Sequence, residues 1–327
     1  VIGPEPLAIW TNTEFPLEPT GVFEAGVRPH ALIRAVESSS LNLISAPPDE
    51  QLLEAEVAFG QPDVEQLFEA KRLKWVHLTT AGYTKYDRED LRASFRERGI
   101  VMTNSSSVYA EPCAQHALAM ILSFARQLMA AYDEQRSNRE WSYVDLRQRS
   151  FLLGGQTVVM YGYGAIARRL SELLAPLKMR LLGVRRQPRG DEAIPTISLD
   201  QHVEYLKQAD HVINILPASA ASQHFFDDSM FAHLKPTAYF YNIGRGTTVN
   251  QNALQRVLQE SRIAGAYLDV TDPEPFPNDH PLWQAPNCFI TPHTAGGFRE
   301  ESFGLVNHFV ENLRRFEQRA ALMDRII

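Results

Sequence analysis

Late in the chain stand an arginine, a glutamate and a histidine: Arg245 in NIGRG, Glu274 in LDVTDPEP and His293 in TPHTAGG. Each follows an apolar, strand-like run. Reducing a carbonyl to an alcohol requires a hydride, a proton for the developing alkoxide, and a hold on an anionic substrate. Histidine suits proton donation because its unperturbed pKa lies nearest neutrality. A carboxylate beside it favours the imidazolium and fixes the ring. The planar fork of arginine grips carboxylate and carbonyl oxygen together, which a lysine point charge does not. Taken singly, each has an ordinary alternative: Arg245 paired with a surface acid, Glu274 a loop carboxylate, His293 a satisfied interior histidine. Their order, behind a nucleotide-type glycine loop, suits hydride transfer between a nicotinamide and a 2-oxo acid.

That glycine loop lies in TVVMYGYGAIARRLSELLAPL, a β-branched strand running into Gly162, Gly164 and a helix. In such a context Gly162 makes the turn, Gly164 lets backbone approach a pyrophosphate, and the helix N-terminus faces the anion. Ala167 takes the third position, where only helix-to-strand packing is at stake. A tight glycine turn in another doubly wound fold is the alternative. In a dinucleotide fold an acid about 20 residues further on binds the ribose 2′-hydroxyl. Here, 185 − 162 = 23 residues after Gly162, stands Arg185, with Arg186 and Arg189 close behind. Arginines would bind a 2′-phosphate through hydrogen bonds worth roughly 1.5–3 kcal/mol each. The expected cofactor is therefore NADP, NADPH being preferred over NADH by about 10²-fold or more. A solvated basic loop is the alternative.

These motifs need elements to carry them, and 327 residues are enough for two domains, each with a core. Two blocks of alternating strand-like and helix-like segments predict an α/β fold of two doubly wound, parallel-sheet (Rossmann-like) domains. In the first block, LAIWTN, LNLIS, EVAFG, KWVHLTT and IVMTN read as strands, and RPHALIRAVES, DVEQLFEA and DREDLRASFRERG as helices. One long helix is expected over EPCAQHALAMILSFARQLMAAYDEQ, then a polar and aromatic arm, SNREWSYVDLRQRSFLLGG. In the second block the strand ahead of Gly162 is followed by RLLGVRR, HVINILP, AYFYNIG, AGAYLDV and CFITPH, six strands in all. DQHVEYLKQA, DDSMFAHLK and NQNALQRVLQES are its helices, the last N-capped by Asn250. A final helix, REESFGLVNHFVENLRRFEQ, is expected to pack on the first block.

A hydrophobic fraction of 44% and a charged fraction of 22% are those of an ordinary globular protein. The net charge of −7 argues against nucleic acid and requires positive charge to be gathered at any site for anions. No apolar run reaches membrane-span length, and VIGPEPLAIW lacks the basic flank and apolar core of a signal peptide, so a cytoplasmic location without membrane attachment is expected. Cys113 and Cys288 have no metal-ligand spacing, and His202, His211, His224 and His233 are scattered, so no metal is expected.

GYGAIA, NIGRG, LDVTDPEP and TPHTAGG in this order resemble the D-isomer-specific 2-hydroxyacid dehydrogenases, from TTAGYTKYD to the last helix. Within that family the RRQPR stretch and the Glu/His pair look most like the NADPH-dependent glyoxylate and hydroxypyruvate reductases. The resemblance implies a discontinuous, flavodoxin-like substrate domain of residues 1–108 plus 297–327. The dinucleotide domain would be residues 109–296, with a dimerisation arm around 130–153 that includes Trp141, an active site in the cleft, and a homodimer. It implies that Arg245 binds a small anionic 2-oxo acid, that His293 is the acid/base and that Glu274 supports it. Ala81, Gly82 and Tyr83 would cup the substrate carboxylate, a plain β-turn being as compatible with those residues. The cofactor would be NADP, or possibly NAD. Its expected contacts are Gly162, Gly164, Ala165, Ile166, Arg185, Arg186, Arg189, Leu216, Pro217, Ile243, Asp269 and Gly296. Asp269 could equally be a strand-end aspartate that stabilises a turn, and Leu216-Pro217 a strand ending at proline. TTAGYTKYD is looser than the family's substrate loop, and Asn250 stands where the family often has aspartate. A reductase of a bulkier 2-oxo acid and a non-catalytic, NAD(P)-responsive binding protein are the alternative functions.

Overall fold

In a computed structural model of the chain, residues 5–39 and 47–327 are described. They form two compact units, one made of the chain up to Tyr109 with Phe298–Ile327, the other of Ala110–Gly297.

The first unit runs β1 (Ala8–Thr13), α1 (Leu17–Gly26), β2 (Ala31–Ser39), β3 (Val57–Gly60), α2 (Gln66–Glu69), β4 (Trp75–Leu78), α3 (Glu89–Arg98) and β5 (Val101–Thr103). Its five strands are parallel in the order β2-β1-β3-β4-β5. A strand's side chains alternate between faces, so each strand feeds two cores. Ile9, Val57, Phe59 and Trp75 meet Phe23 of α1 and Val306, Phe309 and Leu313 of the C-terminal helix Glu301–Glu317. Trp10, Ala58, Val76 and Leu78 meet Leu91 and Phe95 of α3.

RPHALIRAVES, expected as a helix, is instead strand β2 at the sheet edge. Leu32 packs against one core and Ile33 and Ala35 against the other, the period of a strand, while Val36 is 79% exposed. An edge strand whose outer positions face water loses the clean alternation by which it would be read. The helix of this crossover is LEPTGVFEAG, where Pro16 and Pro19 sit at the start, a turn in which the missing amide of proline is tolerated. LNLIS lies outside the described residues.

α4 (Ser106–Ala125) leads into the second unit, followed by α5 (Leu128–Arg136), α6 (Tyr143–Arg149), β6 (Thr157–Tyr161), α7 (Ala165–Leu174), β7 (Arg180–Arg185), β8 (Thr196–Ser198), α8 (His202–Leu206), β9 (His211–Asn214), α9 (Asp228–Phe231), β10 (Tyr239–Asn242), α10 (Gln251–Gln259), β11 (Gly265–Leu268) and β12 (Cys288–Ile290). Seven strands, all parallel, lie in the order β12-β11-β10-β9-β6-β7-β8. Six were expected. The seventh, β8, is a half-buried edge strand of three residues, too short to carry a period. The single long helix is also corrected: it breaks at Gln127, whose φ is +55° and whose side-chain amide donates to the Phe124 carbonyl at 2.8 Å. Before the break, Ile121 and Phe124 are buried; after it, Leu128 and Tyr132 are 54% and 55% exposed. Asn250 caps α10 as expected, its side chain accepting from the Ala253 amide at 3.0 Å.

Order reverses beside β6, which has β7 on one side and β9 on the other. Ligands of open parallel sheets bind at the strand C-termini around such a point. Beneath it, His211 of β9 is fully buried, with Nε2 on Gln156 Oε1 at 2.7 Å and Nδ1 on the Tyr241 hydroxyl at 2.9 Å. Burial pushes its pKa down to about 4, so the imidazole is neutral.

Candidate active site

Arg245, Glu274 and His293 leave the C-terminal ends of three adjacent strands, β10, β11 and β12. Two buried asparagines shape the first of these loops. Asn242, at the end of β10, donates to the Arg245 carbonyl at 3.1 Å and accepts from the Gly244 amide at 3.1 Å. Asn214, its register partner on β9, donates to Asn242 at 3.0 Å and to Thr248 at 2.6 Å, and Thr248 donates to the Arg245 carbonyl at 2.6 Å. Gly246 is obligatory here, because a Cβ would lie 1.9 Å from the Thr271 carbonyl oxygen. The Arg245 loop is thus pressed against the segment that carries Glu274. Burial lowers the guanidinium pKa below its ordinary value and nearby Glu274 opposes this, so Arg245 remains cationic.

His293 Nδ1 lies 2.8 Å from Glu274 Oε2, and the other Glu274 oxygen accepts from the Thr271 amide at 3.0 Å. Burial raises the Glu274 carboxyl, but the hydrogen bonds from His293 and Thr271 and the charge of Arg245 bring it below its ordinary value. An ionised carboxylate only accepts, so Nδ1 carries the proton of this bond. Nε2 has no hydrogen-bond partner among the described residues, and the side chain is 29% exposed.

His293 has a φ of +53°, a left-handed backbone uncommon for a residue with a side chain. Asp269 holds it there. The His293 amide donates to the Asp269 carbonyl at 2.8 Å. The Asp269 carboxylate, 3% exposed, accepts from the Thr291 hydroxyl at 2.6 Å and from the amides of Thr294 and Ala295 at 2.9 and 3.0 Å. Behind Thr291, the buried Tyr267 hydroxyl lies 2.6 Å from Oγ1 and 2.5 Å from His116 Nε2. With the Thr291 proton on Asp269, donation runs from His116 through Tyr267 and Thr291 and ends on the Asp269 carboxylate, which accepts. Cys113 also adjoins this charge: burial and the Asp269 carboxylate push its thiol up to about 12, against Arg245, so it is an inert neutral group.

The glycine loop follows β6. Gly162 has a φ of +92°, and a Cβ there would meet the Ile215 carbonyl oxygen at 2.7 Å. At Gly164, the N-cap of α7, a Cβ would meet nothing within 4 Å, and no side chain caps the helix. The amides of the first turn, at Ala165, Ile166 and Ala167, have no acceptor among the described residues, which fits an anionic pyrophosphate. Ala167 is fully buried under the turn. Arg185 ends β7, while Arg186 and Arg189 are exposed. Leu216 packs on the core and Pro217 is exposed. Ile243 is 5% exposed, its side chain spent in the core, so only its backbone can face a cofactor. Gly296 is half-buried, next to the anchored Ala295.

Ala81, Gly82 and Tyr83 belong to the first unit, after β4. Asn104 holds the Ala81 carbonyl and Thr80 the Gly82 carbonyl, each at 2.6 Å. The three amides carry no hydrogen bond among the described residues. On the arm, Trp141, Val144 and Leu152 are 90%, 62% and 80% exposed. No helix among the described residues is long and apolar enough to cross a membrane.

Asn214, Asn242, Tyr267, His116 and Cys113 escaped the reading of motifs. The two asparagines could have been noticed, since asparagine is depleted in strands and both end apolar runs in equivalent places. The others act through contacts distant in sequence.

A parallel sheet with a glycine cradle at its switch point, and an Arg/Glu/His set on neighbouring strand ends, defines a nicotinamide-dinucleotide-dependent oxidoreductase. The family model for the NAD-binding domain of D-isomer-specific 2-hydroxyacid dehydrogenases matches residues 118–295, and the chain belongs to that family. It is 31% identical to the glyoxylate reductase of Thermococcus litoralis over 261 residues, 78% of this chain and 77% of that one. It is 33% identical to the human glyoxylate reductase/hydroxypyruvate reductase over 200 residues, spanning 61% of each. Its fold matches the crystal structure of a D-isomer-specific 2-hydroxyacid dehydrogenase from Xanthobacter autotrophicus Py2 in complex with NADPH and MES, with a TM-score of 0.80, 23% identity and 98% of each chain covered.

Proposed function

We propose that this chain reduces a small 2-oxo acid of the glyoxylate or hydroxypyruvate type to the D-2-hydroxy acid, with NADPH as the preferred cofactor and His293 as the proton donor. The observation that carries this reading is the Glu274–His293 pair at 2.8 Å, which leaves Nε2 without a hydrogen-bond partner among the described residues. The glyoxylate reductase names of the relatives support the substrate class.

When bound, the nicotinamide supplies the hydride that reaches the carbonyl carbon. The residues do the rest. Arg245 holds the substrate's carboxylate and polarises its carbonyl oxygen, and this charge-assisted grip strengthens as negative charge builds on that oxygen. His293 transfers the Nε2 proton to the same oxygen, and Glu274 stabilises the imidazolium before transfer and keeps the ring in line. In the reverse direction the neutral imidazole takes the proton back. The amides of Ala81, Gly82 and Tyr83, without a partner among the described residues, support their assignment to anion binding. Gly162, Gly164 and the first turn of α7 would hold the pyrophosphate. The exposed guanidiniums behind β7 support binding of a 2′-phosphate, where a free acid would repel it.

The test follows nicotinamide absorbance with glyoxylate, hydroxypyruvate, pyruvate and phenylpyruvate, each with NADPH and NADH. Fastest turnover of glyoxylate or hydroxypyruvate, with NADPH favoured by about 10²-fold in kcat/KM, is expected. Preference for phenylpyruvate overturns the substrate class, equal use of both cofactors overturns the NADPH assignment, and NADPH binding without turnover overturns the enzymatic reading.

A further inference from the structure

Of the three arginines behind β7, one is already engaged. Arg185 gives Nη1 to Glu192 Oε1 at 3.0 Å. Glu192 belongs to a solvent-facing loop, yet its side chain is only 5% exposed. The same Oε1 accepts from the Arg189 amide at 2.8 Å, and Oε2 accepts from the Gly190 amide at 2.8 Å. Gly190 has a φ of +83°, which brings two successive amides onto one carboxylate, a geometry that a residue with a Cβ rarely adopts. The Arg189 and Gly190 amides and Arg185 outweigh the opposing effect of desolvation and hold the Glu192 carboxyl at about 2. It is ionised throughout the working range of pH. The guanidiniums of Arg186 and Arg189 have no ion pair or hydrogen bond among the described residues.

We infer that Glu192 is the positioning residue for recognition of the cofactor's 2′-phosphate: it makes Arg185 a strut and fixes the loop so that Arg186 and Arg189 are the two cations that meet the phosphate. This rests on the NADPH reading above. A loop of free arginines would lose conformational entropy on gripping a ligand, and a loop already tied at both ends loses less. Glu192 ties the far end of the loop, through the amides of residues 189 and 190, to the end of β7, through Arg185. Its own charge would repel a phosphate were it not compensated by Arg185. The carboxylate and that guanidinium thus form one neutral unit, and the loop presents only cations that are not already paired.

KM for NADPH and for NADH, measured for the full chain and for Glu192→Gln, Arg185→Gln, their double variant and Arg186→Gln/Arg189→Gln, tests this. Each single strut variant is expected to raise KM for NADPH about tenfold. KM for NADH in Glu192→Gln should stay within about twofold, and so also reports that this variant has folded. The strut double should be no worse than either single, because both remove one device. Arg186→Gln/Arg189→Gln should abolish the preference. An unchanged KM for NADPH in Glu192→Gln overturns the inference, as does an equal rise for both cofactors. So does an Arg185→Gln effect far larger than, and additive with, that of Glu192→Gln, because Arg185 would then itself be the phosphate ligand. If the unaltered protein shows no preference for NADPH, the cofactor reading fails before any variant is made. A preference that survives Glu192→Gln sinks this inference alone.

Discussion

The His293 loop and the Arg186–Arg189 loop leave strands on opposite sides of β6, and each is gathered by a single carboxylate. Asp269 collects the amides of Thr294 and Ala295 and the Thr291 hydroxyl. Glu192 collects the amides of Arg189 and Gly190 and the Arg185 guanidinium. Their backing differs. Asp269 is buried at the end of β11, with Tyr267 and His116 behind it, and what it holds is the backbone of His293. Glu192 is backed only by Arg185 at the strand end, and what it holds is a run of exposed cations. On the proposed function one device would govern the position of a reacting group and the other the choice of cofactor, and loss of each should register in a different kinetic constant.

Asp269→Ala should separate the two most sharply. It orphans two amides, each at a cost of about 1–3 kcal/mol, and frees a histidine held at positive φ. A fall in kcat of about 10²- to 10³-fold is expected, with KM for NADPH changed only a few-fold. Steady-state kinetics read both, and a fall confined to KM would erase the contrast with Glu192. A pH titration addresses the sheet that carries both loops. His211 titrates at about 4 in the fold, below the ordinary histidine value, so the fold holds the neutral form. Its contribution to stability is full above about pH 6.5 and is lost as pH falls toward 4, approaching about 3 kcal/mol. Melting temperature should fall over that window, and His211→Gln should flatten the fall; an unchanged slope would assign it to another group. The smallest of these effects is the tenfold change in KM expected at Glu192.

What was legible in the sequence had a local signature. Gly162 and Gly164 sit between a β-branched strand and a helix, and Asn250 precedes an amphipathic run, so neighbours a few residues away determine each reading. Arg245, Glu274 and His293 were legible as a set because each ends an apolar strand, although nothing local says that Glu274 and His293 meet. Misreadings fell where distant contacts decide: β2 is a strand because β1 pairs with it, β8 because β7 does, and the long helix stops at Gln127 because the apolar positions after it no longer face the core. Asn214, Tyr267, His116 and Glu192 matter through partners on other elements or across a turn, and no period or spacing marks them.

The central claim is that the Glu274–His293 pair delivers the proton in reduction of a 2-oxo acid. Its most direct measurement compares NADPH-dependent reduction of hydroxypyruvate by the unaltered chain and by His293→Ala, with cofactor binding followed separately by quenching of protein fluorescence. A loss of roughly 10²- to 10⁴-fold in kcat with cofactor affinity retained is the expected result. Undiminished turnover in His293→Ala would contradict the proton-donor assignment.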